Sequence, residues 1–187
     1  MKAKYVFLLI LGLLMFVCSR DSSKLEKGTP EYEFAQKISE TLPYFNPDQN
    51  RVVATTKNFK ITTGEVLKSI YSNMGKSVNR FYSLDSTNLK EAMKNSIRDY
   101  ADKKMLLLAA KEAKVELTPA KLDSIMQMQY KRHGSREKFA ETLTKNGVSI
   151  EYVERQISES MIIEQYLNQV LSEKAKVQVC GLSRCLE

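Results

Sequence analysis

The stretch LTPAKLDSIMQMQYKRHGSREKFAETLTKNGVSIEYVERQISESMIIEQYLNQVL, residues 117–171, decides the fold because it holds three helical patterns separated by two sharp breaks. The breaks are Gly134 and the pair Asn146-Gly147, since glycine readily adopts the left-handed conformation that ends a helix. Pro119 occupies the first position of the first helix, where its missing N–H costs nothing. The residues that can cap the three helix starts are Thr118, Ser135 and Ser149. Each helix is apolar on one side, so the three must pack against each other or against another element.

The residues before this stretch predict further helices and one small hairpin. Thr62 and Glu65 form a capping-box pattern, so a helix should begin there and continue to Phe81, with Gly75 as its weak point. The run Met105–Ala110 is apolar all round, so the end of the longest helix should be buried on several sides. The predicted elements are a helix over 31–42, a loop over 43–50, the hairpin over 51–62, helices over 62–81 and 87–113, and a linker over 111–117. The expected fold class is therefore mainly α, with a small β-hairpin near its start.

The N-terminus has the pattern of an export signal followed by a cysteine. Residues 5–17 are apolar and uncharged, and as a helix they span roughly 20 Å, short of a hydrocarbon core about 30 Å thick. Cys18, followed by a polar run, resembles a bacterial lipoprotein signal, in which the cysteine becomes the lipidated first residue. Val17 departs from that pattern, because a small residue usually precedes the cysteine. The alternatives are an ordinary signal cleaved elsewhere and an uncleaved inner-membrane anchor, and all three place the domain outside the cytoplasm.

Composition and motifs exclude several functional classes. Hydrophobic residues make up 43% of the 187 residues and charged residues 27%, which is typical of a globular domain. The net charge of +7 is spread along helix faces, which indicates a solvated surface, and the export leader argues against nucleic acid as a partner. His133 is the only histidine, and neither metal-ligand spacing nor a phosphate loop occurs, so no metal, cofactor or small-molecule substrate is expected. Cys180 and Cys185 could close a small disulfide loop in an oxidising compartment or remain free thiols.

The order of anchors and breaks resembles the N-terminal chaperone module of SurA and related PrsA-type foldases. The residues that carry the resemblance are Gly134, Ser135, Phe139, Leu143, Gly147, Ser149, Val153, Gln156 and Ile157. The hairpin also matches the usual start of that module at Val52, Val53, Ala54, Ile61 and Thr62. Thr56-Lys57 replaces the family's central Val-Asn, which weakens this part of the match. The resemblance covers about residues 51–174, and it divides the chain into a lipoprotein-like signal peptide (1–17), a tether with a short helix (18–50), a chaperone domain (51–174) and a tail (175–187).

The resemblance implies an ATP-independent holdase that covers apolar segments of unfolded or nascent envelope proteins, including outer-membrane clients. Such a protein would lie in the periplasm, held at a membrane by its lipid anchor. Methionine side chains suit a promiscuous apolar surface because they repack against many sequences. The candidate client-binding residues are Met126, Met128 and Tyr130 on one wall and Tyr71, Met74 and Phe81 on the opposing wall. The alternative for Met126 is a place in the core.

The relatives also carry parvulin-type prolyl-isomerase domains, and no room for one follows residue 174. We therefore expect no isomerase activity, although an isomerase-family lipoprotein that lacks its catalytic domain remains an alternative. A second alternative is a lipoprotein that docks one folded partner, and a third is a shortened gene product. One observation separates these interpretations most directly: a client groove either stays open or is filled by the helix over 31–42.

Overall fold

The computed structural model describes the backbone of residues 23–183 and the side chains of residues 23–172. This part of the chain is mainly helical, with six α-helices and one two-stranded antiparallel hairpin, so the predicted fold class is confirmed. In chain order the elements are α1 (Pro30–Thr41), β1 (Val52–Thr55), β2 (Lys60–Thr62), α2 (Thr63–Met74), α3 (Ser86–Glu112), α4 (Pro119–His133), α5 (Arg136–Lys145) and α6 (Ile150–Ser183). Short 3-10 turns at Pro43–Phe45 and Gly75–Ser83 follow α1 and α2.

The first half of the chain builds a core, which we call the N-terminal core, around α1, α2 and the start of α3. Thr29 caps helix α1, since its side chain accepts a hydrogen bond from the Tyr32 N–H. The helix buries one face against α2 and the two 3-10 turns. Phe34 and Ile38 on that face are each only 1% exposed. The members of this core are Phe34, Ala35, Ile38, Phe45, Ile61, Val66, Leu67, Ile70, Val78, Phe81, Leu89 and Met93.

The predicted capping box is present at the start of α2. The Glu65 N–H donates to Thr62 Oγ1 at 3.3 Å, and the Thr62 N–H donates to Glu65 Oε2 at 2.8 Å. These two bonds satisfy N–H groups that would otherwise lack a partner at the helix start. Because Thr62 also ends β2, the box joins the hairpin to the helix with no intervening loop.

The prediction that this helix continues to Phe81 is wrong. Helix α2 ends at Met74, because Gly75 has φ +51° and the chain continues as a 3-10 turn to Ser83. Gly75 lies against the α5–α6 loop, where the Lys76 N–H donates to Asn146 O at 2.9 Å. A Cβ atom at position 75 would lie only 1.9 Å from that same oxygen. The break is therefore imposed by close approach of two backbones and not by a local turn signal alone.

The second half of the chain builds a smaller core, which we call the C-terminal core. It contains Met126, Tyr130 and Phe139, packed against half-buried Leu122, Leu143, Ile150, Val153 and Ile157. Gly134 at φ +91° and Gly147 at φ +74° provide the two predicted breaks. Ser135 and Ser149 cap the next two helices as expected, whereas the Thr118 side chain makes no capping hydrogen bond. The sequence thus predicted the helix order correctly but overstated one cap.

Two expectations, one about the end of α3 and one about the segment after residue 174, are corrected by the structure. Met105 is 45% exposed, and only Ala110 of the run Met105–Ala110 is buried, so this end of α3 is not enclosed on several sides. The backbone of α6 stays helical to Ser183, well into the segment expected to be a tail. Leu171 on this helix is 63% exposed. Within the described residues, no helix is both long enough and apolar enough to cross a membrane.

Candidate functional site

The three candidate residues of the expected second wall pack into the N-terminal core. Phe81 is buried and meets the Phe34 ring edge-on, with the centroids 5.9 Å apart. Tyr71 is half-buried, with its ring centroid 6.3 Å from that of Phe34, and Met74 packs against the same core. Helix α1 therefore fills the space beside these residues. We correct the prediction that they form one wall of an open groove.

The candidate residues of the other wall separate into core and surface. Met126 and Tyr130 are buried in the C-terminal core, so the alternative reading of Met126 as a core residue is the one that the structure supports. The Tyr130 O–H donates to Glu154 on α6 at 3.2 Å, which anchors α4 to that helix. Met128 points away from this core and is 54% exposed. The two sets of residues thus belong to different cores.

A polar cleft of about 370 Å³ joins the two halves, lined by side chains of α2, α3 and α6. Lys104 on α3 donates to Glu65 on α2 at 2.9 Å, and Lys103 lies 2.6 Å from Glu159 on α6. Lys103 also donates to Gln156. Because these charges are half-buried and paired across helices, they hold α2, α3 and α6 in register.

Tyr152 adds a neutral anchor to the polar cleft. Its O–H donates to Asn73 Oδ1 on α2 at 2.7 Å. Burial raises the pKa of Tyr152 to about 12, and the negative charge of Glu159 acts in the same direction. The phenol is therefore a hydrogen-bond donor at neutral pH and a poor proton acceptor, which suits a structural role and not general-base chemistry.

A second depression, which we call the apolar groove, lies between the turn after α1, strand β1 and the first half of α3. Its volume is about 480 Å³, within the range of small-ligand clefts. One wall comes from residues 42–45 and Val53, and the other from a single face of α3 on which residues recur at helical spacing. The lining residues are Leu42, Pro43, Tyr44, Phe45, Val53, Ser86, Lys90, Met93, Lys94 and Ile97.

The apolar groove has a fixed floor and a more exposed rim. Phe45 and Met93 are buried, so they are held by the N-terminal core beneath. Tyr44, by contrast, is 46% exposed. Its O–H donates to Val52 O at 2.8 Å, and its ring lies edge-on to Phe45. An open apolar surface on a rigid base is what binding of an apolar segment requires.

Sequence reasoning missed this groove because its walls are distant in the chain. The signal that could have found it is the apolar run Leu42–Phe45, in which Leu42 ends the helix predicted over 31–42 and the other residues begin the loop predicted over 43–50. A further signal is the face of α3 that alternates Lys90 and Lys94 with Met93 and Ile97. Neither signal says that the two surfaces meet, since that depends on how α1 and α3 pack.

The chain matches no known protein-family model, and comparison with curated proteins and with solved structures finds no match. The resemblance to SurA-type modules therefore stays a prediction based on the residues given above. Cys18 and Cys185 lie outside the described residues, as does the side chain of Cys180. Lipidation and the disulfide accordingly also stay predictions.

Proposed function

We propose that this protein is an extracytoplasmic, ATP-independent holdase, tethered to a membrane in the periplasm through Cys18, that binds apolar segments of unfolded envelope proteins. The single observation that supports this function is the apolar groove beside α3, formed by Leu42, Phe45, Val53, Met93 and Ile97. This is not the groove that the sequence suggested. It replaces the surface between Met74 and Met126, which belong to two separate cores.

The proposal requires a frame that keeps the groove open. The ion pairs and hydrogen bonds of the polar cleft cross-link α2, α3 and α6 farther along α3, on the turns that follow Ile97. The N-terminal core holds the floor residues Phe45 and Met93 from below. With both attachments in place, collapse of the groove would require repacking of a close-packed core, which is energetically costly.

Release without ATP demands modest affinity. Burying one large apolar side chain contributes about 1.5–3 kcal/mol, and association costs offset part of that gain. Several such contacts give a dissociation constant on the order of micromolar, about 8 kcal/mol. Affinity in that range competes with aggregation yet permits a client to leave by dissociation alone.

Light scattering from two unrelated unfolded proteins, diluted from denaturant, tests this function. We expect wild-type protein to suppress aggregation of both. The double substitution Leu42→Gln with Val53→Thr places polar atoms on the groove wall at similar volume, and it should weaken suppression about tenfold, the equivalent of about 1.4 kcal/mol. The matched control is Met128→Gln, a similar change at an exposed site outside the groove, which should suppress as wild type does.

Circular dichroism and thermal unfolding establish that each variant is folded before it is compared. Suppression of a single client, with none of an unrelated second one, would favour a lipoprotein that docks one partner. Equal suppression by the groove variant and by wild type would refute the groove as the binding site. No suppression of either client by wild type would refute the holdase function itself.

A further inference from the structure

The polar cleft between α2, α3 and α6 holds more positive than negative charge. The described residues that line it include four cationic side chains and two carboxylates, which leaves a surplus of two positive charges. Glu65 is paired with Lys104, and Glu159 is paired with Lys103. A concave site with a surplus of one charge concentrates the opposite charge from solution. The surplus therefore predicts that this cleft attracts an anion.

The two surplus charges are Lys68 on α2 and Arg155 on α6. Both side chains are exposed, and neither forms an ion pair with a described residue. The Arg155 guanidinium lies over the Tyr152 ring, 5.3 Å from its centroid, which positions the side chain without neutralising its charge. Because both cations border one volume of about 370 Å³, a single ligand can contact both of them.

Two hydroxyl groups add neutral donors to the lining of the polar cleft. Ser72 and Tyr100 both line it, and neither hydroxyl is hydrogen-bonded to a described residue. Ser72 lies one helical turn after Lys68 on α2. Burial raises the pKa of Tyr100, and the negative charge of Glu65 acts in the same direction, so its hydroxyl keeps its proton at neutral pH. The cleft thus offers an ammonium, a guanidinium and two hydroxyls from three helices to an anion with several oxygens.

We infer that the polar cleft binds an organic phosphomonoester, with the phosphate between Lys68 and Arg155 and the organic part against Leu107 and the Tyr100 ring. A phosphomonoester carries about −1.5 to −2 charge at pH 7 and three acceptor oxygens, so it matches the surplus of two. A single carboxylate would neutralise only half of that surplus. The volume of about 370 Å³ lies in the range of small-molecule pockets, which leaves room for the organic part. This inference goes beyond the holdase function and does not depend on it.

Isothermal titration calorimetry of the purified full chain with phenyl phosphate, benzoate and inorganic phosphate tests the inference. We expect phenyl phosphate to bind about threefold more tightly than benzoate, since one further exposed ion pair contributes roughly 1.4- to 5-fold. Inorganic phosphate should bind more weakly than phenyl phosphate, because it lacks the ring that contacts Leu107 and Tyr100. Added salt should weaken binding of phenyl phosphate. Phenyl phosphate should also raise the unfolding temperature, because it binds only the folded chain.

The matching protein variant is Lys68→Gln with Arg155→Gln, which we call the cleft variant. It should weaken phenyl phosphate binding about tenfold, because it removes two ion pairs of about threefold each. Its control is Lys121→Gln with Arg132→Gln, which removes the same charge at exposed sites on α4 and should bind as wild type does. Circular dichroism checks that both variants are folded. The comparison of phenyl phosphate with benzoate uses wild-type protein alone, so a folding defect in a variant does not affect it.

Glycerol 3-phosphate and vesicles that contain phosphatidate present the same chemical group in solution and at a lipid surface. Binding of glycerol 3-phosphate supports a soluble ligand, whereas binding of the vesicles alone, lost in the cleft variant, supports a lipid headgroup. Equal affinity for phenyl phosphate and benzoate would overturn the assignment to phosphate. Equal phenyl phosphate affinity of wild type and the cleft variant, or no binding of any probe, would overturn the site. The cleft variant should suppress aggregation as wild type does, so failure of this inference and failure of the holdase function are distinguishable.

Discussion

Substitution of Gly75 by alanine tests how the two halves of the molecule are joined. The added methyl group would lie 1.9 Å from Asn146 O, 3.0 Å from the Asn146 carbonyl carbon and 3.1 Å from Val148 Cγ2. Two of these atoms belong to backbone, so no side-chain rotation can relieve the contact. The α5–α6 loop must move away, and the hydrogen bond from the Lys76 N–H to Asn146 O is lost with it.

The expected cost has separable parts. A non-glycine residue at φ +51° costs roughly 1–2 kcal/mol in backbone strain. Loss of the Lys76 hydrogen bond adds about 1 kcal/mol. Displacing the loop adds packing loss around Val148, so we expect about 3–4 kcal/mol in the free energy of unfolding.

A matched control isolates the steric part of this cost. Gly134 has φ +91°, yet a methyl group there would meet only the flexible Lys138 side chain, at 3.4 Å. Gly134→Ala should therefore cost the strain alone, about 1–2 kcal/mol. Urea denaturation followed by far-ultraviolet circular dichroism measures both variants by linear extrapolation. Equal losses for Gly75→Ala and Gly134→Ala would show that the loop does not lie against Gly75, and would refute this account of how the halves meet.

Three further predictions concern the core, the cap and the cleft. Phe34→Ala should cost about 3–5 kcal/mol in thermal or chemical unfolding, because it removes a buried ring between α1 and α2; a loss under 1 kcal/mol would mean that α1 does not fill this space. Glu65→Ala should cost about 1–2 kcal/mol, since it removes the capping box and the pair with Lys104, and a double-mutant cycle with Lys104→Ala should show coupling. The raised pKa of Tyr152 favours its neutral form in the fold, so its contribution to stability should be present below pH 10.0 and lost as the pH rises from 10.0 to about 12; Tyr152→Phe should remove that part of the alkaline loss, and an unchanged profile would contradict it.

Local signals predicted the element order because they act within one or two helical turns. The Thr62–Glu65 capping box satisfies N–H groups at the start of a helix. The glycines at 134 and 147 end helices through their positive φ angles. Both effects involve only neighbouring residues. Their position in the structure therefore follows from chemistry that is visible in the sequence. The fold class could be derived on this basis.

The candidate site could not be derived in the same way, because it depends on which surfaces meet. Phe81 and Met126 both lie on apolar stripes, and a stripe does not say whether a neighbour will cover it. Helix α1 covers the first and α6 the second, so both became core. The sequence marked Gly75 only as a weak point in a continuous helix, because the close approach of Asn146 that requires a break there comes from another part of the chain.

Photo-crosslinking is the measurement that tests most directly whether unfolded clients occupy the apolar groove. A benzophenone amino acid would replace either Tyr44 at the rim of the groove or Met128 on the outer face of α4, both of which are exposed. The probe at position 44 should crosslink at least two unrelated unfolded proteins and should not crosslink their native forms. Its yield of crosslinked client should be severalfold higher than the yield from position 128. Equal crosslinking from both positions, or none from position 44, would contradict the assignment of client binding to this groove.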